Sequence, residues 1–309
     1  MATDSVSVHP ARRRAKRPFL AGPFPWLIPS IAVLLVVSMY PFIFAVINSF
    51  RFYNLGVSNV PGDFIGFGNY ARALSDPTIL QSIGQTLIFC ITVTVVEVVL
   101  GILLALLLRQ KLVGVNIVRS ILILPVAIAP AVAGLAFRSM YANDTGLIAV
   151  VLERIGVSVP EAGILGDTGT AMPALMLTDV WQWTPFVALI ALAAMQGVPE
   201  DVVEAARMDG AGGRRILWSI TLPLIGTALA TVGMLRFIQS FNVFDIIYVQ
   251  TRGGPGGSTS TIGFEVFMAG LNQYNIGLAS TLTILALIIA AVFINIYFFI
   301  SGRKADRNA

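Results

Sequence analysis

The sequence predicts an all-α membrane protein of six transmembrane helices, with both termini in the cytoplasm and a short cytoplasmic helix between spans four and five. Three observations carry that expectation. Hydrophobic residues make up 56% of the 309 and charged residues only 12%, about half the ~25% of a soluble domain, and the mean hydropathy is +0.83. The apolar residues gather in stretches long enough to cross the hydrocarbon core, which takes about 20 helical residues. The basic residues fall mostly in alternate segments between those stretches.

The spans are expected at 26–50, 83–108, 117–141, 173–196, 223–249 and 279–300. The first follows the basic run Arg12-Arg13-Arg14-Ala15-Lys16-Arg17, which opens like a secretion signal. Its apolar stretch is too long for a signal and has no clear small-residue cleavage site, so it reads as a retained span. With the N-terminus inside, the internal segments hold Arg12, Arg13, Arg14, Lys16, Arg17, Arg109, Lys111, Arg119, Arg207, Arg214, Arg215, Arg303, Lys304 and Arg307, which is 14 of the 20 basic residues. The external segments hold five (Arg51, Arg72, Arg138, Arg154 and Arg252), and Arg236 falls within span five. This bias is the positive-inside pattern. It yields a basic cytoplasmic tail at 1–25, a membrane domain at 26–300 and a second cytoplasmic tail at 301–309, in the cell membrane. The external loops at 51–82, 142–172 and 250–278 are rich in Gly, Pro, Asn and Ser and read as short ordered caps. Pro29, Pro41, Pro125, Pro130 and Pro185 lie inside spans, where each removes a backbone hydrogen bond and can bend its helix. Bends suit a bundle that encloses a path, although membrane helices also tolerate proline without that role.

Composition excludes several chemistries. Cys90 is the single cysteine and His9, in the polar tail, the single histidine, which removes most metal-site and Cys/His catalytic schemes. Lys16, Lys111 and Lys304 follow Ala15, Gln110 and Arg303, so no Gly-Lys pair exists and no phosphate-binding P-loop is possible. The net charge of +4 follows the topology, so a nucleic-acid partner is not expected. With no nucleophile–base pair or metal-ligand cluster, the chain reads as a non-enzyme.

The loop between spans four and five carries the most information. It reads Val198-Pro199-Glu200-Asp201-Val202-Val203-Glu204-Ala205-Ala206-Arg207-Met208-Asp209-Gly210-Ala211 and continues through Arg214-Arg215 to Ile220-Thr221-Leu222-Pro223. Pro199 suits a first helical turn, and Glu200 and Asp201 complement the positive end of its dipole. Ala205 and Ala206 allow close approach of another surface, and Gly210 supplies the permissive backbone where the helix ends. On these grounds alone a solvated amphipathic loop and a docking helix both remain open.

The spacing Glu204-Ala205-Ala206, three residues, Gly210, nine residues, Ile220, one residue, Leu222-Pro223 resembles the EAA loop of importer-type ABC transporter permeases. The Asp209-Gly210-Ala211 extension is similar to the carbohydrate-uptake branch. Other segments agree with the same family: Ile65-Gly66-Phe67-Gly68-Asn69-Tyr70, Arg119 through Leu124-Pro125, Trp181 with Pro185-Phe186, and Phe244-Asp245 followed by Tyr248-Val249, Thr251 and Gly253-Gly254-Pro255. The resemblance implies a heteromeric importer. Two permeases would form the pathway, two ATPase subunits would bind ATP and Mg²⁺ while this chain holds no cofactor, and an extracytoplasmic solute-binding protein would deliver a sugar or related polyol. The remaining surface would face membrane lipid. The resemblance also implies that Glu204, Ala205, Ala206, Asp209, Gly210, Leu222 and Pro223 couple this chain to the ATPases.

Glu97, Asp179, Arg236 and Asp245 are ionisable residues within or at the margins of the spans. Each costs about 2.5–3.5 kcal/mol at a helix centre on insertion scales, so each should face protein or water. Arg236 shares a helical face with Gln239, Ser240 and Val243. By resemblance that stripe lines the substrate path, while an ion pair of Arg236 with Glu97 or Asp245 is the structural alternative. Gln182, Trp183 and Phe186 combine amide and aromatic chemistry suited to sugars, and the same resemblance puts Gln182 and Trp183 on the pathway. Tryptophans such as Trp181 and Trp183 also gather at membrane interfaces. Glu97 has no partner assignable from sequence and would suit a proton-coupled secondary transporter, the rival from another class. Within the ABC reading, glycerophosphate, amino-acid or peptide import is the nearer alternative.

Overall fold

The computed structural model describes residues 24–110 and 114–305. The basic run at 12–17, His9, Lys111 and Arg307 lie outside the described residues. Those that are described form helices α1 (Phe24–Ser49), α2 (Gly68–Ser75), α3 (Pro77–Leu108), α4 (Val115–Ala127), α5 (Pro130–Met140), α6 (Leu147–Arg154), α7 (Ala171–Gln196) and α8 (Glu200–Met208). They continue with α9 (Gly213–Ile216), a π-turn at Leu217–Thr221, α10 (Leu222–Leu224), α11 (Gly226–Phe241), α12 (Asp245–Gln250), α13 (Ile262–Phe267), a second π-turn at Met268–Asn272 and α14 (Ile276–Ala305). Extended pairing among the described residues is limited to one isolated bridge between Arg51 and Phe64.

Four helices are long and apolar enough to cross a membrane, at Leu27–Ser49, Pro77–Leu108, Ala171–Gln196 and Ile276–Tyr297. Two further helix pairs pass the same test together but are bent, α4 with α5 by 97° and Gly213–Leu224 with α11 by 66°. The continuous helix expected at 117–141 is therefore corrected to two. Pro130 has no N–H and excludes the residue before it from helical geometry, so Ile128 and Ala129 extend with ψ of 134° and 136°. Pro29, Pro41, Pro125 and Pro185, in contrast, sit within their helices without ending them.

The span expected at 223–249 is also corrected. Its helix is broken at Ile225, two residues past Pro223, continues as α11 and ends at Phe241, with 245–250 forming the separate α12. Asp245 consequently stands exposed in the first turn of α12, where an acidic group complements the helix dipole, and it is not an interior charge.

The centre of the bundle is α3 packed on α7. Gly101 makes that contact possible, because a Cβ there would lie 2.6 Å from Val187 Cγ1 and 3.1 Å from the Ala188 nitrogen. At its far end from the termini of these helices' first turns, the pair closes over an apolar core of Ala105, Leu108, Leu192, Met195, Val203 and Ile225. α1 differs: its apolar residues are exposed and burial starts only at Asn48 and Ser49. The Asn69 amide donates to the Ser49 and Arg51 carbonyls (3.0 and 2.9 Å), and the Tyr70 hydroxyl donates to Ser49 Oγ (2.8 Å). The Gly68-Asn69-Tyr70 stretch thus anchors the end of α1. The loops expected as ordered caps carry the short helices α2, α6 and α13. In the 250–278 loop, Thr259 Oγ1 donates to the Gly254 carbonyl (2.7 Å), and Gly253, at φ +80°, lies so close to Phe264 that a Cβ would meet the ring at 2.7 Å.

Candidate functional site

Three ionisable residues from three different helices meet in the bundle interior. From α11, Arg236 Nε donates to Glu97 Oε2 (2.6 Å) and Nη2 to Glu97 Oε1 (2.8 Å), so the α3 carboxylate is gripped by both oxygens. The same Nη2 donates to Asp179 Oδ2 of α7 (2.8 Å), and Nη1 donates to Gln239 Oε1 (2.9 Å). The indole ring of Trp183 lies against the guanidinium, 4.6 Å from centroid to Cζ, a cation–π arrangement. Glu97, Arg236 and Asp179 are 0%, 1% and 5% exposed, so bulk water solvates none of them. Only a planar fork with five donors can reach two carboxylates and an amide at once.

Of the two alternatives left open for Arg236, the ion pair is present. Arg236 is paired with Glu97, but with Asp179 and not Asp245, and Gln239 completes its shell. The sequence offered the Arg236–Glu97 pair as one alternative but did not bring Asp179 to it. The available signal was the membrane cost of each, which requires partners but does not name them.

The other residues of the expected pathway separate. Gln239 is exposed, while Trp183 and Phe186 are half-buried with their rings edge to face at 6.1 Å. Ser240 is buried; its hydroxyl donates back to the Arg236 carbonyl (2.8 Å) and lies 3.4 Å from the Thr94 hydroxyl of α3. Val243 lies beyond the end of α11, and the polar stripe stops at Ser240. Gln182 is 1% exposed and its Nε2 donates to the Ile128 carbonyl (2.8 Å). That carbonyl was freed by the break before Pro130, so Gln182 satisfies a backbone group that the bent span leaves open. Trp181 is partly exposed and packs on Phe137 at 5.1 Å.

The loop after α7 folds as its sequence dictates. Pro199 occupies the cap position one residue ahead of α8, and Glu200 and Asp201 lie in the first turn. At the other end the Gly210 N–H bonds to the Arg207 carbonyl (3.0 Å) and the Ala211 N–H to the Ala206 carbonyl (2.9 Å), with Gly210 at φ +78°. This pair of bonds is a Schellman motif, whose left-handed position favours glycine. Ala206 and Ala211, the two residues that a Schellman motif brings into apolar contact, both pack on the core that buries Val203. Opposite that buried side, Glu204, Ala205 and Asp209 are exposed, together with Val202 and Met208. Leu222 packs on the same core while Pro223 is exposed. Arg119, counted above with the internal basic residues and as a family signal, donates from Nη2 to the Leu108 carbonyl (2.9 Å) and ties α4 to the end of α3.

Apolar outer helices, bent spans and an internal charge cluster are the features of a multi-pass membrane protein. A family model described as "Binding-protein-dependent transport system inner membrane component" matches residues 97–307, and the chain belongs to that family. It is a multi-pass inner-membrane permease component and not an enzyme. Among similar proteins, the trehalose/maltose transport system permease protein MalF of Thermococcus litoralis is 36% identical over 246 residues, covering 79% of this chain and 81% of that one. The trehalose transport system permease protein SugA of Mycobacterium tuberculosis is 31% identical over 278 residues, covering 87% and 86%. Among solved structures, a chain of a bacterial alginate ABC transporter, crystallised in complex with an alginate pentasaccharide-bound periplasmic protein, superposes with a TM-score of 0.78 at 20% identity, covering 91% and 93%. That likeness establishes the fold.

Proposed function

We propose that this chain is one permease of an ATP-driven importer for a di- or oligosaccharide or related polyol. It crosses the inner membrane six times, each bent pair forming one span, with its tails at 1–25 and 301–309 in the cytoplasm and its membrane domain at 26–300. A second permease completes the pathway, an extracytoplasmic binding protein delivers the solute, and lipid covers the outer apolar helices. Two ATPase subunits hold ATP and Mg²⁺, since this chain has no phosphate-binding loop. The observation that carries the sugar assignment is the 36% identity, over most of both chains, to a permease named for trehalose and maltose.

In this reading α8 is the coupling helix. Its exposed side, with Glu204, Ala205, Met208 and Asp209, seats in the ATPase, while Val203 and Ala206 hold it to the core, Gly210 turns the chain, and Leu222 and Pro223 lead into α11. The pathway is lined by Trp183, Phe186, Gln239 and the Arg236 cluster. Gln182 and Ser240 support that wall by holding the α4–α5 break and the α11 backbone. The test is purification of the assembled transporter with its partners and measurement of ATP-dependent sugar uptake in proteoliposomes. Glu204→Ala is expected to abolish uptake with membrane insertion intact. Undiminished uptake in that variant refutes the coupling role, and absence of an ATPase from gently extracted material refutes the importer.

A further inference from the structure

The charge arithmetic of the Arg236 cluster bears on which sugars can pass, a point that rests on the proposed sugar pathway. Among the described residues Arg236 is the buried basic side chain, and its donors are already directed to Glu97, Asp179 and Gln239. One π-face of its guanidinium lies against the Trp183 ring. One guanidinium with two carboxylates sums to −1 when both are ionised and to zero when one holds a proton. Neither state leaves a positive charge for a ligand.

What the cluster does offer is neutral. Gln239 accepts from Arg236 through Oε1, so its exposed amide nitrogen keeps both protons for a hydroxyl or ring oxygen. The half-buried rings of Trp183, which lies against the same guanidinium, and Phe186 add apolar surface near the cluster, and a pyranose pairs an apolar face with a rim of hydroxyls. A carboxylate, sulfonate or phosphate entering the same place would leave water without meeting a cation, and an unpaired ion is the most costly group to bury. With both cluster carboxylates ionised it would also meet net repulsion across a poorly screened distance.

We infer that this chain's share of the pathway admits uncharged carbohydrate and discriminates against acidic sugars. The experiment uses the assembled transporter purified without its binding protein, so that selection by that protein does not intervene. Saturation-transfer NMR titrations with maltotriose and with trigalacturonate, a trisaccharide bearing three carboxylates, give the two dissociation constants. Trigalacturonate is expected to bind at least about tenfold more weakly, an effect of the size of the repulsion that one net unit charge about 12 Å away produces at an effective dielectric of about 20. In a Glu97→Gln/Asp179→Asn variant, where Arg236 stands unneutralised, the gap is expected to close to within about threefold, and an unchanged gap in a folded variant overturns the inference. Equal or tighter binding of trigalacturonate by the wild-type chain overturns it without any variant and leaves the sugar reading standing. Binding of neither probe overturns the sugar reading and the inference with it.

Discussion

Arg236→Met asks whether the interior cluster is held together by its charge. Methionine keeps the unbranched apolar stem and removes the cation. Glu97 and Asp179, 0% and 5% exposed, then lose three charge-assisted bonds of 2.6, 2.8 and 2.8 Å. Such bonds contribute about 1.5–3 kcal/mol each when taken singly, but their sum overstates the loss because pairing offsets a large desolvation cost. Breaking a buried pair by removing one partner costs about 3–5 kcal/mol, and a destabilisation in that range is expected. The informative comparison is the neutralised triple variant, Arg236→Met with Glu97→Gln and Asp179→Asn, which removes the stranded charge. Replacing a whole buried ion cluster by neutral groups is often close to energetically neutral, so the triple variant is expected to lie within about 2 kcal/mol of wild type. Reversible unfolding in mixed detergent–SDS micelles, followed by circular dichroism, measures both. A cost below about 1 kcal/mol for Arg236→Met, or a triple variant no more stable than the single one, would refute the assignment of the cluster as charge-stabilised.

Gly210→Ala places a Cβ in open space at φ +78°, so its cost is conformational and about 1–2 kcal/mol. Uptake by the assembled transporter is expected to fall several-fold, whereas Gly210→Asn, which tolerates the left-handed region, retains most of it; equal loss in both would mean that something other than backbone conformation is at stake. Gly101→Ala sets a methyl against Val187 Cγ1 and the Ala188 backbone, an overpacking worth about 1–3 kcal/mol. The same unfolding assay should show that loss and its partial rescue by Val187→Ala.

Helix existence was legible in the sequence because membrane spans are written in composition alone. Four of the six expected spans contain a long apolar helix, and the loop motif predicted α8 and its glycine turn because capping is local chemistry. The two bent spans were less legible. Proline marks the possibility of a break without fixing it: Pro130 ends a helix while Pro125, five residues earlier, does not. The difference lies in what receives the freed carbonyl, here Gln182 from another helix, and that contact is tertiary. For the same reason the sequence could not show that Gln182, placed on the pathway by the family resemblance, has its amide nitrogen committed to the backbone. The pairing of Arg236 with Asp179 and Glu97 spans separations of 57 and 139 residues, beyond any periodicity. Asp245 looked internal only because the apolar run continues past the point where α11 stops.

The Arg236 cluster and the apolar core around Val203 share α3, α7 and α11, and this constrains how these helices can move relative to one another. α3 carries Glu97 and then Ala105 and Leu108 in the core beneath Val203, roughly 12–16 Å further along at 1.5 Å per residue. α7 carries Asp179 and then Leu192 and Met195 in the same core, roughly 20–24 Å away. Arg236 lies about 10 Å along α11 from Leu229, which packs against that core. Sliding α11 past α3 would have to break a bidentate pair at one end and an apolar core at the other. Sliding α3 past α7 is opposed by the close contact at Gly101. The three helices should therefore move as one body, and relative motion is left to the elements outside these clamps: the exposed α1, α4 across its 97° break from α5, and the segment before the 66° bend at Ile225. A cross-link between cysteines placed on the facing surfaces of α3 and α7 is accordingly expected to leave ATP-dependent uptake intact. Abolition of uptake by that cross-link, in a transporter that still hydrolyses ATP, would show that the two helices must separate during the cycle and that the cluster is a gate and not a clamp.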